Sequence, residues 1–422
     1  MRDSCHKAHP LPRPYGGMKQ PREGGRNMSN VCKFLFFLPL LLLFSITVVA
    51  GPQPESSSVQ TTGPGENREP GDYFQEKIRV DYSTAFTVEY HDTFKVVTVL
   101  NPWPGATGGF TYVLVQRGTA PPSGIMADRI IEVPIRSIVT MSTSYLPCLE
   151  ELGVVDILVG HETLAWVYSE KVRELIAVDS IREVGSGQNV NIELLLDIDP
   201  DLIMTYGMGN EWDAHPKFEE AGLPYVINAE WNEKTPLGRA EWIKYIALFV
   251  NKEAEANAYF SKIADEYTAL TKKANMITDK PSVFAGTPYQ GTWWMSGGSS
   301  FAAQLFADAG AAYVWEDDES TGSLMLDIET VFERAGNADI WVNTGYWNTF
   351  EQAQSDDERF REFKAFKTGM MFNNNLRMSP TGGNDYYESA PIRPHLVLAD
   401  LIKIFHPELA TDHQFYYYKK LD

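Results

Sequence analysis

The sequence contains very little cysteine. Three cysteines occur among 422 residues, and only Cys148 follows the long apolar run at residues 34–50. If that run is a cleaved export signal, no second thiol is left for an intrachain disulfide. A chain of this size buries enough apolar surface to fold without one. We therefore expect Cys148, which lies on the apolar face of a predicted helix, to be a core thiol.

The short motifs that mark common enzyme classes are also absent. The sequence has no Gly-x-Ser-x-Gly, no Gly-x-x-x-x-Gly-Lys and no Cys-x-x-Cys. These motifs build nucleophile elbows, phosphate loops and redox or zinc sites, respectively. The eight histidines include no His-x-x-x-His pair, which argues against a zinc site of three or four histidines. The sequence predicts a binding protein rather than an enzyme, with no cofactor.

Positive charge is scarce. The chain has 36 Lys and Arg against 56 Asp and Glu, a formal net charge of −20. Removal of residues 1–50, which carry seven basic and two acidic side chains, makes it −25. This balance disfavours binding to nucleic acid and docking onto anionic lipid. We interpret the excess of negative charge as a feature that keeps an exported protein soluble.

The amino-terminal region resembles an export signal. Residues 34–50 are apolar, follow Lys33 and end in small or short residues at Val48 and Ala50. The alternative is an uncleaved anchor, for which this run has the minimum length. We expect the protein to be periplasmic or held at the outer face of the cytoplasmic membrane. Residues 51–72 are rich in Pro, Gly, Ser and Glu and predict a disordered linker.

An internal repeat is the most informative pattern. Residues 192–207 and residues 328–346 share an acidic-capped helix, an Asp, an apolar strand and a turn with Gly and aromatic residues. Upstream of each copy lies another strand, loop, helix, Gly and strand unit, at 137–160 and 282–315. Strands that alternate with helices favour parallel sheets covered by helices. Two such halves predict two Rossmann-like α/β lobes with a cleft between them.

A long helical pattern separates the two halves. Thr235 is a good N-cap and Pro236 a good first residue, and apolar residues then recur at helical spacing to about Ala274. One unbroken helix of this length would measure about 54 Å and could bridge two lobes. Before the first half, strand-like runs from Phe86 to Val133 predict a β-hairpin addition. The predicted divisions are an N-terminal lobe at 73–235, a bridging helix at 236–277 and a C-terminal lobe at 278–422.

Large aromatic rings recur in the loops after predicted strands. In open α/β sheets ligands bind outside the carboxyl ends of the strands, where these loops lie. The alternative is that the rings cover the core or hold the loops, but so many rings beside Gly favour a ligand. The candidate ligand-binding rings are Trp166, Tyr168, Tyr206, Trp212, Trp293, Trp294, Tyr346 and Trp347.

From about Arg136 to its end, the chain resembles class III periplasmic substrate-binding proteins. The resemblance lies in the 137–160 unit, the motif at 191–203, the long helix and the Gly- and Ala-rich segment at 296–311. It continues in the 382–390 segment and in the closing segment at 396–409, which begins with an amphipathic closing helix at 396–404. It implies capture of an iron-siderophore, cobalamin or haem by a monomer. Delivery to an ABC permease with its ATPase subunit is also implied.

The resemblance also implies roles for particular charged residues. Arg377 is the main basic candidate at the cleft, where it faces an anionic ligand group or forms an ion pair on the lobe surface. The family often has a permease-docking glutamate near the start of the first helix of each lobe. Pro147 and Ser299 occupy those positions here, so Glu150 and Glu151, one turn further on, are weak docking candidates.

Two other functions stay open. One is a metal-ion-binding solute receptor, which needs three or more converging His, Asp or Glu, whereas the sequence offers His161 and Glu162. The other is an exported sensor or enzyme on the same scaffold.

Overall fold

The computed structural model describes residues 71–422. The predicted signal or anchor at residues 1–50 and nearly all of the 51–72 linker lie outside the described residues. Within residues 71–422, no helix combines the length and the apolar character that a bilayer crossing requires.

A four-stranded sheet comes first in the described chain. Its strands are β1 (Phe86–Tyr90), β2 (Phe94–Val99), β3 (Phe110–Gln116) and β4 (Arg129–Val133), in that order across the sheet. The first three strands pair antiparallel, whereas β4 runs parallel to β3. Burial alternates along β2, so one face of this sheet joins the core and the other faces outwards.

The N-terminal lobe is a parallel sheet with helices around it. Its strands are β5 (Ile138–Thr140), β6 (Leu158–His161), β7 (Arg182–Glu183), β8 (Leu202–Thr205) and β9 (Tyr225–Ile227), and its helices are α1 (Leu146–Glu151), α2 (Glu170–Ala177), α3 (Ile192–Ile198) and α4 (His215–Glu220). The strand order is β7-β6-β5-β8-β9. Strands β5, β8 and β9 are buried throughout, as expected for a parallel sheet covered on both faces.

Three helices, α5 (Pro236–Ala240), α6 (Trp242–Val250) and α7 (Glu253–Ala274), connect the lobes. The prediction of one unbroken helix is wrong. Asn251 ends α6 with a left-handed backbone conformation, φ 52°, which is a common helix stop. All nine residues of α6 are buried and all but Lys244 are apolar, so the apolar spacing did not mark the break. Helix α7, about 33 Å long at 1.5 Å per residue, packs against α1 of one lobe and against the closing helix of the other.

A buried lysine holds the break between α6 and α7. The Lys95 Nζ, from β2, donates to the Leu248 carbonyl at 2.6 Å, to Asn251 Oδ1 at 2.8 Å and to Glu253 Oε1 at 2.6 Å. Burial lowers the pKa of Lys95 to about 8, and the carboxylate of Glu253 opposes this shift. The amino group therefore stays charged at pH 7. The four-stranded sheet is thus tied to the helices between the lobes.

The C-terminal lobe repeats the same plan. Its sheet contains β10 (Ser282–Ala285), β13 (Ala312–Tyr313), β15 (Ile340–Val342), β16 (Met371–Asn373) and β17 (Lys419–Lys420), and its helices are α8 (Phe301–Asp308), α9 (Ile328–Ala335), α10 (Phe350–Asp356), α11 (Lys364–Lys367), α12 (Asp385–Ser389) and α13 (Pro394–Phe405). The order is β13-β10-β15-β16-β17, with only β17 antiparallel to its neighbour.

The sequence repeat corresponds to equivalent places in the two sheets. Helix α3 leads into β8 in the first lobe and α9 leads into β15 in the second. The neighbouring strands β6-β5-β8-β9 then match β13-β10-β15-β16 position by position. The prediction of a two-lobe α/β fold is confirmed.

The segment that carries Trp293 and Trp294, predicted as a loop after a strand, is a sheet instead. Residues 287–298 contain β11 (Pro288–Tyr289) and β12 (Thr292–Ser296), and β12 pairs antiparallel with β14 (Ser323–Leu326). Side chains therefore alternate along β12. Trp293 and Met295 are buried, whereas Trp294 lies on the other face opposite Met325.

Candidate functional site

Loops from the two lobes meet where β6 and β16 end. The Trp166 carbonyl, after β6, lies so close to Gly383, after β16, that a Cβ at Gly383 would collide with it. Each loop follows the carboxyl end of a parallel strand. The contact therefore brings together the edges of the two sheets at which α/β proteins bind ligands. We call the contact region between these loops and the adjoining helices the seam.

A buried glutamate crosses the seam. Glu388 of α12 accepts the backbone N–H of Tyr168 at 2.7 Å and that of Ser169 at 2.8 Å. Ser169 is the N-cap of α2, so α12 of one lobe is joined to the start of a helix in the other. Burial raises the pKa of Glu388 to about 8, although the two amide donors favour its ionised form.

Arg377 also lies at the seam. Its Nε donates to Asp385 at 2.5 Å, and its guanidinium lies 5.1 Å from the Tyr168 ring centre and 4.3 Å from that of Tyr416. Burial works against the charge, but the ion pair with Asp385 raises the pKa of Arg377 above its usual value. Of the two roles left open for Arg377, the structure shows the ion pair, which Arg377 forms with Asp385.

Six of the eight candidate rings lie at least partly on the surface, among them the half-buried Tyr168 at the seam. Trp166 is 44% exposed, Trp212 42% and Tyr346 58%, and all three follow parallel strands. Tyr206 and Trp294 are half-buried. The Tyr346 hydroxyl donates to Asp356. These rings come from both lobes, as a ligand held between two lobes requires.

Two candidate rings belong to the core, so their prediction as ligand contacts is wrong. Trp293 is 0% exposed and Trp347 is 1% exposed. Both pack in an aromatic cluster around Trp341, with ring centres 5.5 Å from it in each case. The indole N–H of Trp293 donates to the Ala285 carbonyl and that of Trp347 to Asp356. A ligand could not touch either ring without unpacking this cluster.

The structure adds exposed side chains that the sequence analysis did not select. These are Trp231, Tyr289, Met325, Leu376, Met378 and Tyr387. Trp231 follows β9 and Tyr289 ends β11, so both obey the rule of rings after strands and could have been found by it. Met325 lies on β14, and only its pairing opposite Trp294 places it on the same surface as that ring.

Trp103, from the loop between β2 and β3, packs against the loop that carries Tyr206 and Trp212, at Gly207 and Gly209. A Cβ added at Gly207 would lie 2.5 Å from the Trp103 ring, and one at Gly209 also 2.5 Å from it. Glycine is therefore required at both positions for this close approach. The additional sheet thereby supports a loop of the candidate site.

The two docking candidates are engaged within the chain. Glu150 accepts a hydrogen bond from the Ser169 hydroxyl, and Glu151 forms an ion pair with Arg393 of the other lobe at 2.9 Å. Glu150 also lines a cavity of about 430 Å³ at the seam, together with Tyr168, Arg377 and Glu388.

Metal ligands do not gather in the part of the chain that the structure covers. Among residues 71–422, no three His, Cys, Asp or Glu side chains are placed to hold one ion. His161 is buried, with its Nδ1 2.8 Å from the Thr140 hydroxyl, and burial lowers its pKa to about 4. The single described cysteine, Cys148, is a buried free thiol.

These features place the carboxyl edges of the two sheets next to each other at the seam. The chain belongs to the periplasmic binding protein family, which matches residues 138–373. The match begins at the first residue of β5 and ends at the last residue of β16, so it spans both lobes and leaves out the four-stranded sheet. The resemblance to class III proteins is confirmed.

The chain is also similar to curated relatives, and it shares its fold with solved structures. Two uncharacterized lipoproteins of Methanocaldococcus jannaschii are each 29% identical to the chain; one match covers 69% of this chain and 70% of the relative, the other 91% and 99%. A possible iron-binding (periplasmic solute-binding) protein of Staphylococcus epidermidis shares the fold with a TM-score of 0.51 and 17% identity, over 64% of this chain and 98% of that one. A periplasmic binding protein of Veillonella parvula has a TM-score of 0.51 and 15% identity, over 76% and 95%.

Proposed function

We propose that this protein is an extracytoplasmic solute receptor that captures a metal chelate and passes it to an ABC permease. The ligand class is an iron-siderophore, cobalamin or haem, held between the lobes. The receptor acts as a monomer and without catalysis. The lipoprotein relatives support a place outside the cytoplasmic membrane.

The observation that carries the proposal is the set of exposed aromatic rings at the strand ends of both lobes. Trp166 and Trp212 come from the N-terminal lobe, and Tyr289 and Tyr346 from the C-terminal lobe. Exposed rings in surface loops cost solubility, and a large flat ligand offsets that cost when it covers them. Aromatic side chains suit such a ligand because they bury a large area and lose little conformational entropy.

Tryptophan fluorescence tests the proposal directly. Ferric siderophores of the hydroxamate and catecholate types, haemin and cyanocobalamin are titrated into the purified protein. We expect one ligand to quench the emission with saturation at micromolar concentration or below. Replacement of Trp166 or Trp212 by Ala should weaken that binding by at least tenfold, the loss of about 1.4 kcal/mol.

A matched control separates the site from general effects on the surface. Phe332 on α9 is exposed to a similar degree, at 42%, but does not lie in a strand-end loop. The Phe332→Ala variant should bind as the wild type does. Absence of saturable binding for every chelate, measured with the folded protein, would refute the proposed ligand class.

Delivery is tested with membranes. The loaded receptor should stimulate ATP hydrolysis by its reconstituted permease and ATPase, and the ligand-free receptor should stimulate it less. Glu150 and Glu151 also form contacts at the seam, so a change in this stimulation after their replacement by Gln indicates permease contact only if chelate binding is unchanged.

A further inference from the structure

We infer that the chelate held between the lobes carries no net negative charge, as is true of a corrinoid or a ferric trihydroxamate. Within the proposed function, on which this inference rests, two kinds of chelate are then rejected. They are haem, which carries two carboxylates, and a ferric tricatecholate, which carries three excess negative charges.

Carboxylates lie beside the candidate rings in both lobes. In the N-terminal lobe, Asp213 directly follows Trp212 and accepts two backbone N–H groups of its own loop, each at 2.8 Å. In the C-terminal lobe, Asp356 accepts hydrogen bonds from the hydroxyl of Tyr346 and from the indole N–H of Trp347. All of these donors are neutral, so they leave the negative charge of both carboxylates in place.

Positive charge is scarce in the loops of the site. Within residues 71–422, Lys234 and Arg377 are the only basic side chains in the loops that follow the parallel strands of the two lobe sheets. Arg377 is neutralised by Asp385 at 2.5 Å, and Lys234 is exposed to water at the end of its loop. His215, which begins α4 and lies 3.8 Å from Asp213, is neutral at pH 7 because burial lowers its pKa. In these loops an anionic ligand therefore finds no buried, unpaired cation to replace the water that it loses.

The cavity at the seam does not supply the missing positive charge. Five carboxyl groups and four basic groups line it. Two of the basic groups, Arg377 and Arg393, are each held in an ion pair with a carboxylate. The other two, Lys171 and Arg173, lie on α2 beside two glutamates of the same helix. The cavity thus has no excess of positive charge with which to attract an anion.

An anionic chelate pays for this arrangement when it loses water. A charged group that is desolvated without gaining a partner weakens binding by at least about tenfold. The net charge of −20 on the whole chain adds repulsion at longer range. A chelate without net negative charge keeps the contact with the rings and avoids both effects, so the missing cation acts as a selector between ligands.

Equilibrium dialysis with the purified full chain tests the inference. Four chelates are compared: cyanocobalamin and a neutral ferric trihydroxamate on one side, haemin and a ferric tricatecholate on the other. We expect the better of the first two to bind at least about tenfold more tightly than either of the last two. Raising the salt concentration from about 0.01 M to about 1 M shortens the Debye length from about 30 Å to about 3 Å and should reduce this preference.

Charge reversal in a candidate loop tests the cause. Glu211 is exposed next to Trp212. Glu211→Lys should raise the affinity for haemin, relative to that for the better neutral chelate, by about threefold to tenfold. The matched control is Asp197→Lys, which makes the same change of charge at an exposed position in the last turn of α3, the helix that leads into the amino end of β8. It should leave the ratio of the two affinities unchanged.

Asp385→Asn is a second variant with the same expected direction. It removes the carboxylate that neutralises Arg377 and should raise the same affinity ratio. Its control is Glu132→Gln. Glu132 pairs with Arg117 at 2.8 Å, and Arg117 also pairs with Asp201, directly before the amino end of β8, so this pair lies at the opposite edge of the sheet. If Asp385→Asn does not fold, Glu211→Lys decides.

Two results would overturn the inference and leave the proposed receptor function intact. One is binding of haemin or of the ferric tricatecholate as tightly as the better neutral chelate. The other is an affinity ratio that Glu211→Lys and Asp197→Lys change equally. Absence of saturable binding for all four chelates, measured with the folded protein, would refute the proposed function and the inference with it.

Discussion

Replacement of Lys95 by Met should destabilise the protein strongly. The Met side chain fills a similar volume but leaves the carboxylate of Glu253, which is 5% exposed, without its cation. The Leu248 carbonyl and the Asn251 side-chain oxygen also lose their donor. Removal of one partner from a buried ion pair costs about 3–5 kcal/mol. That is a large part of the roughly 5–15 kcal/mol that stabilises a typical domain.

The chain provides a matched control for this change. Lys252 and Glu255 form an ion pair near the same helix start, but their side chains are 36% and 43% exposed. Exposed pairs contribute about 0.2–1 kcal/mol. Lys252→Met should therefore lower the free energy of unfolding by no more than that. Equilibrium unfolding in urea, followed by circular dichroism at pH 7, measures both changes.

The double variant tests the cause. If the cost comes from an unpaired buried carboxylate, then adding Glu253→Met to Lys95→Met should restore a large part of the lost stability. The reasoning is refuted if Lys95→Met costs no more than Lys252→Met. It is also refuted if adding Glu253→Met lowers the free energy of unfolding by about another 3–5 kcal/mol, the cost of removing one partner from a buried ion pair.

Three further predictions concern the core, acid stability and the supported loop. Trp293→Ala should cost about 3–5 kcal/mol in urea unfolding because it empties a buried aromatic cluster, whereas Trp166→Ala, at an exposed ring, should change stability by no more than about 0.5 kcal/mol. Burial lowers the pKa of His161 in the folded protein to about 4 from 6.5, so the unfolded chain takes up the proton first and the free energy of unfolding decreases as the pH falls from 6.5 to 4. His161→Asn should make this decrease smaller by up to about 3 kcal/mol, measured as the difference between urea unfolding curves at pH 7 and pH 4. Gly207→Ala should cost about 1–3 kcal/mol through collision with Trp103, while Gly108→Ala, with open space around it, should have no such cost in the same assay.

The sequence by itself determined the architecture. The repeat of helix, Asp, strand and Gly turn indicated two lobes because each copy folds as a local unit, and the copies occupy equivalent places in the two sheets. It also located the candidate loops, since ligand-binding loops follow the carboxyl ends of parallel strands whatever their sequence. It could not show where the helix between the lobes breaks, because apolar residues fill α6 except at Lys244 and continue at helical spacing past Asn251.

The roles of individual site residues were decided by tertiary structure. Trp293 and Trp294 are adjacent and chemically identical, yet the pairing of β12 with β14 buries one ring and turns the other outwards. Arg377 faces the ring of Tyr168 only because loops from different lobes meet. Glu388 becomes a contact between lobes because residues 220 positions apart in the chain are brought together. Burial and long-range pairing depend on the whole fold, so no local pattern in the sequence can encode them.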